Sequence, residues 1–232
     1  MVAPEFDLKS IYQTVLKSVF TVFLLLCSMG VFGQKSYTLL TSASDLEAGK
    51  KYLVVSRNTA GSGFALGYQN TNNRPKAAIT VVNISGVMTI TATPAIANSE
   101  TTKVFEIGID NGTTGNYTLN DAVNGTYLIP SSGNNTNNYL KGQVTASDWT
   151  ITFSSGAAVI TNTGHPNTNT TPRNLIRFNS STVGSELFSC YASGQNSVYL
   201  YKEVPTGKTV SFNNNGGSGT MTNQTASTAT NL

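Results

Sequence analysis

"VFEIGIDNGTTGNYTLNDAVNGTYLI", residues 104–129, sets apolar residues in short alternating runs between turns that carry glycine and asparagine. Alternation with a period of two marks a strand buried on one face, and Asn-Gly is hairpin-turn material. The stretch therefore reads as strands over 104–109, 116–119 and 126–129. A second stretch, "DWTITFSSGAAVITNTGHPNTNTTPRNLI", residues 148–176, follows the same order. Each has an aromatic-x-Ile head, a glycine turn, an Ile or Leu strand ending near Asn, and a loop into a Leu-Ile pair. Phe105 and Trp149 head the two copies, 44 residues apart, and a poorer third copy spans about 52–91. Three units of about four short strands describe a β-trefoil-like barrel. Two similar hairpins in a β-sandwich would give the same pattern, so a sandwich is the alternative.

Outward from that repeat, the rest of the chain has the same grain. Short apolar runs at 37–40, 51–56, 64–67, 78–82, 87–91, 138–140, 187–191 and 198–201 alternate with turn residues. One helical turn is expected at "SASDLEAG", 42–49, where Ser42 and Ser44 each precede a carboxylate by three residues and Gly49 follows as a stop. Pro205 and Gly207 end the domain, so 35–203 reads as one all-β domain, 204–208 as a linker, and 209–232 as a further segment.

Composition narrows the setting. Only 11% of the 232 residues are charged, against about 25% in an average soluble protein. Neutral Asn, Thr, Ser and Gly do the solvating, as suits an extracellular β protein. The net charge of +3 is spread thinly, and no basic stripe offers a nucleic-acid footprint. At the N-terminus, Lys9 and Lys17 precede an apolar run from Val19 to Phe32, with Val31 and Gly33 placed for cleavage before Gln34. Residues 1–33 read as a signal helix for export; the run is shorter than the roughly 20 residues that span a bilayer. Secretion or display at the cell surface is expected, with no membrane span once the signal is removed.

The tail, "TVSFNNNGGSGTMTNQTASTATNL", carries Val210 and Phe212, an Asn215-Gly216-Gly217 turn, Gly219-Thr220-Met221 and Gln224-Thr225. These resemble the opening of the Listeria–Bacteroides repeat, the internalin-type β-rich module found in arrays on bacterial surface proteins. That family continues into a Gly-Tyr-x-Phe-x-Gly-Trp segment that this chain lacks. The resemblance implies the front of a longer modular protein. The body, through "SDLEAGKKYLVVS" and "NLIRFN…ELFSCYASGQNSVYLYK", resembles accessory β-domains of secreted Bacteroidetes proteins, such as adhesins and hydrolases.

Catalytic groups are sparse. His165, the only histidine, lies in a proline-flanked loop, and no Gly-x-Ser-x-Gly elbow accompanies it. Cys190 sits among strand residues and reads as a small buried hydrophobe. Glu106, between Phe105 and Ile107, is expected to face water. The acids are scattered through turns and single out no glycosidase pair. No cofactor motif and no zinc set is present. The turns 110–116 and 120–126 hold oxygen groups that calcium could use, but Asn-Gly turn chemistry accounts for both.

Binding remains. Sugar sites combine an aromatic ring with amides or carboxylates, and three places offer that mixture: 134–143, 147–150 and 190–199. Trp149 heads a repeat unit and reads as core. Tyr139 and Tyr191 stand beside turns; each reads as a packed ring or, with Gln195 and Asn196 beside Tyr191, as a sugar platform. The ricin-type Gln-x-Trp mark is absent. The expected function is non-catalytic adhesion or ligand display toward an extracellular glycan or a host or matrix surface. A carbohydrate-binding module targeting a larger secreted hydrolase is the alternative.

Overall fold

The computed structural model describes residues 35–92, 96–100, 103–132, 136–165, 168–205, 208–210 and 224–226. The predicted export signal and most of the repeat-like tail lie outside the described residues. The strands of the body are β1 (Lys35–Leu39), β2 (Lys50–Val55), β3 (Gly61–Leu66), β4 (Arg74–Ile84), β5 (Val87–Ala92), β6 (Ile107–Asn111) and β7 (Tyr117–Asp121). They continue as β8 (Thr126–Ile129), β9 (Lys141–Gln143), β10 (Asp148–Ser154), β11 (Ala157–Asn162), β12 (Leu175–Asn179), β13 (Leu187–Tyr191) and β14 (Tyr199–Val204). All fourteen join one antiparallel sheet.

The expected all-β class is what the chain adopts, but the sheet does not close as one clean barrel. Its pairings close twice. One circuit runs β1–β14–β2–β3–β4–β5 and back to β1. The other leaves β2 through β6, β7, β10, β11, β12 and β13 and returns by β4 and β3. Each circuit has its own core. Tyr37, Leu53, Val55, Ala65, Ala77, Val81, Ile90 and Tyr201 fill the first. Tyr52, Val54, Leu66, Phe105, Leu119, Trp149, Ile160, Phe188 and Leu200 are among those filling the second.

Strands β2, β3 and β14 form the wall between the two cores. Leu53 and Val55 face one core while Tyr52 and Val54 face the other, which is why "YLVV" is an unbroken apolar run. A strand covered on both faces needs apolar residues at every position. The two repeat hairpins, β6–β7 and β10–β11, lie side by side through the β7–β10 pairing, with Trp149 opposite Tyr117. Trp149 is fully buried, as expected of a unit head, and its Nε1 donates to Leu128 O at 3.1 Å.

Several local expectations are corrected. The turn at 42–49 is a single 3-10 turn, Ala43–Asp45, with the Ser42 hydroxyl accepting from Ser44 N. The run 138–140 is irregular, and the strand begins at Lys141. Strand β14 extends to Val204 because Lys202 and Glu203 still find partners in β2 and β1. Lys208–Val210 pairs with Gln224–Ala226 in a separate two-stranded ladder.

Glu106 does not face water. Val104 forms only an isolated bridge and β6 starts at Ile107, so the alternation assumed for 104–107 does not hold. Both neighbouring faces are core, and Glu106 is 8% exposed. Its Oε2 accepts from Lys35 Nζ at 2.6 Å and, in a short contact, from the Tyr37 hydroxyl. Asn98 clasps its backbone, donating to Glu106 O at 3.1 Å and accepting from Glu106 N at 3.0 Å. Glu106→Ala leaves the Tyr37 hydroxyl buried without its acceptor and is expected to cost about 1–3 kcal/mol. Urea titration measures this; adding Tyr37→Phe should recover part of the loss, and full additivity of the two substitutions would refute the coupling.

Candidate functional site

After β3 the chain reads Gly67-Tyr-Gln-Asn-Thr-Asn-Asn-Arg74, polar throughout and rich in amides. It turns sharply: Asn70 and Asn73 exchange backbone hydrogen bonds of 2.8 and 3.1 Å, leaving Thr71 and Asn72 as the turn. Thr71 has φ +56°, a left-handed conformation that a β-branched residue adopts only under strain. Such strain persists where the surroundings impose it, and it concentrates at functional sites.

Those surroundings are two other segments. Leu140 N donates to Asn72 O at 2.8 Å. Asn73 reaches Asn138 O and Ser189 Oγ, both at 2.7 Å, with its amide nitrogen turned toward them. Pairing of β13 with β4 places Leu187 opposite Pro75 and brings Glu186 to Lys76. The result is a cleft of about 540 Å³ lined by Asn70–Asn73, Pro75, Lys76, Tyr139 and 184–187.

The cleft's chemistry is mixed. Tyr139 is half-buried; its hydroxyl accepts from Asn137 Nδ2 at 3.0 Å, and Lys141 Nζ stands 5.7 Å from its ring centroid. Lys76 Nζ pairs with Glu186 Oε2 at 2.6 Å and lies 4.6 Å from the Phe64 ring centroid. The hydrogen bond from Lys76 holds the Glu186 carboxyl below its ordinary range, so Glu186 is ionised at neutral pH. Amides, one ion pair and one aromatic ring thus converge on a single opening.

Of the four residues predicted for binding, Tyr139 alone lines this cleft. Tyr191 is 6% exposed, packed at the end of β13, with its hydroxyl bonded to Asn179 Nδ2 at 3.1 Å. It has the packed role of the two read for it, and its ring offers no open face. Gln195 and Asn196 are exposed in the following loop. Gln195 has φ +58°, while Asn196 pairs through its backbone with Phe178 and donates from Nδ2 to Ser180 Oγ at 2.7 Å. Sequence reasoning missed Asn70–Asn73, Lys76 and Glu186. The amide-dense "QNTNNR" was the available signal, and it reads as an ordinary loop until the fold brings 138–141 and 184–187 to it.

Other candidates resolve into structure. Cys190 is fully buried, and burial pushes its thiol well above the ordinary range. His165 is half-buried; burial, with Lys141 nearby, lowers its pKa, and its backbone N–H donates to Asn162 Oδ1 at 2.8 Å. In the 120–126 turn, Asp121 accepts from Asn98 Nδ2, Val123 N and Asn124 N at 2.9–3.3 Å and from Asn124 Nδ2 at 2.6 Å. Its oxygens are met by N–H donors, the pattern of an Asx-turn. Among the described residues no group of three or more His, Cys, Asp or Glu is placed to hold a metal, and no helix is long and apolar enough to cross a membrane.

Compared with known proteins, the chain matches no family model, no curated protein and no solved structure, so its functional reading rests on the cleft itself.

Proposed function

We propose that residues 35–205 form a non-catalytic module of a secreted surface protein that binds an extracellular glycan in the cleft beside Tyr139. The observation that carries this reading is the cleft's composition: an aromatic ring at the edge, three asparagines, and an ion pair, around about 540 Å³. A sugar presents an apolar C–H face and a rim of hydroxyls. The ring covers the first, and amides and paired charges exchange hydrogen bonds with the second. The strained Thr71 turn supports the same reading, since it holds Asn70 and Asn72 at the cleft in fixed positions. Such a module serves adhesion directly, and the same chemistry would serve targeting of a larger secreted hydrolase.

The test is retention of the full chain in gels containing soluble polysaccharides. Tyr139→Ala is expected to weaken retention about tenfold, the scale of one ring contact of about 1 kcal/mol plus its buried area. Thermal unfolding should barely change, because Tyr139 is half-buried and its hydroxyl is bonded only locally. Retention equal to wild type would sink the assignment.

A further inference from the structure

The strongest unexplained group in the body is Arg74. It opens β4, directly after the asparagine turn, and is 1% exposed. A guanidinium in that position is costly unless its donors are met. Its plane is covered by aromatic rings, with Cζ 4.3 Å from the Phe105 centroid and 5.8 Å from that of Tyr68. Nε donates to Leu140 O at 3.3 Å. Nη1, fully buried, has no hydrogen-bond partner among the described residues. Burial lowers the Arg74 pKa to about 10, with Asp121 opposing from a distance, so the group is still charged at neutral pH.

Arg74 also lines a second cavity, of about 310 Å³, with Tyr68, Gln69, Asp121, Thr126 and Gly142. That is the lower end of small-ligand sites, roughly 300–1,000 Å³. Asp121 is already engaged by the N–H donors of its own turn. The Gln69 amide is held at both ends, accepting from Gly142 N at 2.6 Å and donating to Thr71 O at 2.7 Å. Arg74 Nη1 is the buried donor left without a partner among the described residues. The cavity adjoins the Tyr139 cleft: 68, 69 and 74 line one, 70–73, 75 and 76 the other, and the 139–142 segment contributes to both. The linings carry Arg74 and Lys76; Lys141 stands beside the Tyr139 ring, and Arg173 is bonded to Asn138 Oδ1 at 2.5 Å. Against these four cations are Asp121 and Glu186.

We propose that this cavity is a carboxylate-reading subsite, in which the Arg74 guanidinium donates to the carboxylate of an acidic sugar whose neighbouring units lie in the Tyr139 cleft. Guanidinium–carboxylate bonds are charge-assisted and are stronger still out of water. The proposal rests on the glycan-binding reading above and adds the class of sugar.

The test uses the full chain and four polymers in 150 mM salt: polygalacturonate, polysialic acid, and each after reduction of its carboxyls to alcohols. An acidic polymer is expected to be retained about tenfold to a hundredfold more tightly than its reduced form. Whichever acid shows the larger difference, uronate or sialate, identifies the source of the carboxylate. Arg74→Lys keeps a basic side chain but loses the planar fork, and it is expected to abolish the preference. Because a buried arginine is a hazardous place to substitute, Gly142→Ala provides the second arm. A Cβ there would stand 2.9 Å from Thr126 Oγ1 and 3.6 Å from Gln69 Oε1, narrowing the cavity with Arg74 left in place. It too should remove the preference; because Thr126 must shift to admit the Cβ, its thermal unfolding curve is recorded beside that of wild type, and retention is compared where both are folded.

Equal binding of acidic and reduced polymers by wild type would overturn the subsite and leave the glycan reading standing. So would an acid preference that Gly142→Ala leaves intact, since that would mark general attraction by the net positive chain. No retention of any polymer would overturn both.

Discussion

Trp149→Ala is expected to lower stability by about 3–5 kcal/mol, the usual cost of removing a fully buried indole. Most single domains are stable by only about 5–15 kcal/mol, so this one change would consume a large part of the margin. The side chain is central to the larger core and touches the structure in two ways. It fills volume between the paired hairpins, and its Nε1 satisfies Leu128 O at the end of β8. Trp149→Phe separates these roles: it keeps most of the volume, orphans the carbonyl, and should cost about 1–3 kcal/mol. Guanidinium titration followed by circular dichroism is the right measurement, because Trp149 is the only tryptophan and its fluorescence is lost with it. A midpoint for Trp149→Ala within error of wild type would mean that the hairpins do not pack through this residue.

Trp149 also shows how far residue patterns reach in this chain. Its place at the head of a repeated strand–turn–strand unit was enough to assign it to the core. Hairpins are local, so β7, β8, β11 and β13 stand close to where alternation and turn residues put them. What alternation cannot say is how many faces of a strand are covered. The unbroken "YLVV" of β2 reflects two cores divided by one wall, and that depends on pairings between segments up to about 150 residues apart, such as β2 with β14. The same limit explains Glu106. A carboxylate beside Phe105 looks solvated until Lys35 and Tyr37 arrive from the other end of the body.

The candidate cleft was legible in part for the same reason. Tyr139 stood out because its aromatic and amide neighbours are adjacent in sequence. Lys76 and Glu186 are 110 residues apart, and neither has a local feature that distinguishes it. Arg74 is the extreme case. In "NNRPK" it looks like a solvated loop cation, and only the fold lays it against Phe105 and into the lining of a cavity. Tyr191 failed as a platform because "SCYAS" ends a strand whose last four residues are all buried, a register no turn signal reveals.

Raising the pH above 9 is expected to destabilise the protein steeply, and Cys190 should account for the first part of the fall. Burial raises the Cys190 thiol far above its ordinary value of 9.0, and raises Tyr37 well above 10.0, with Glu106 reinforcing the shift through its bond to the hydroxyl. Burial likewise lifts Tyr201 to about 12. In each case the folded chain keeps its proton at a pH where the unfolded chain has released it. The unfolded state then binds fewer protons than the native one, so unfolding free energy decreases as pH rises. Each such group removes up to about 1.4 kcal/mol per pH unit once its unfolded value is passed. Between pH 9 and 10 the thiol acts before the tyrosines; above 10 Tyr37 and Tyr201 each add a slope, and that of Tyr201 ends near pH 12. Denaturant midpoints at pH 7, 9, 10 and 11 for wild type, Cys190→Ala and Tyr37→Phe measure the separate parts. Cys190→Ala should flatten the curve between pH 9 and 10, and Tyr37→Phe should flatten it only above 10. If wild type and Cys190→Ala lose stability in parallel across pH 9–10, the thiol is not buried in the fold, and the packing of β13 against the larger core is wrong.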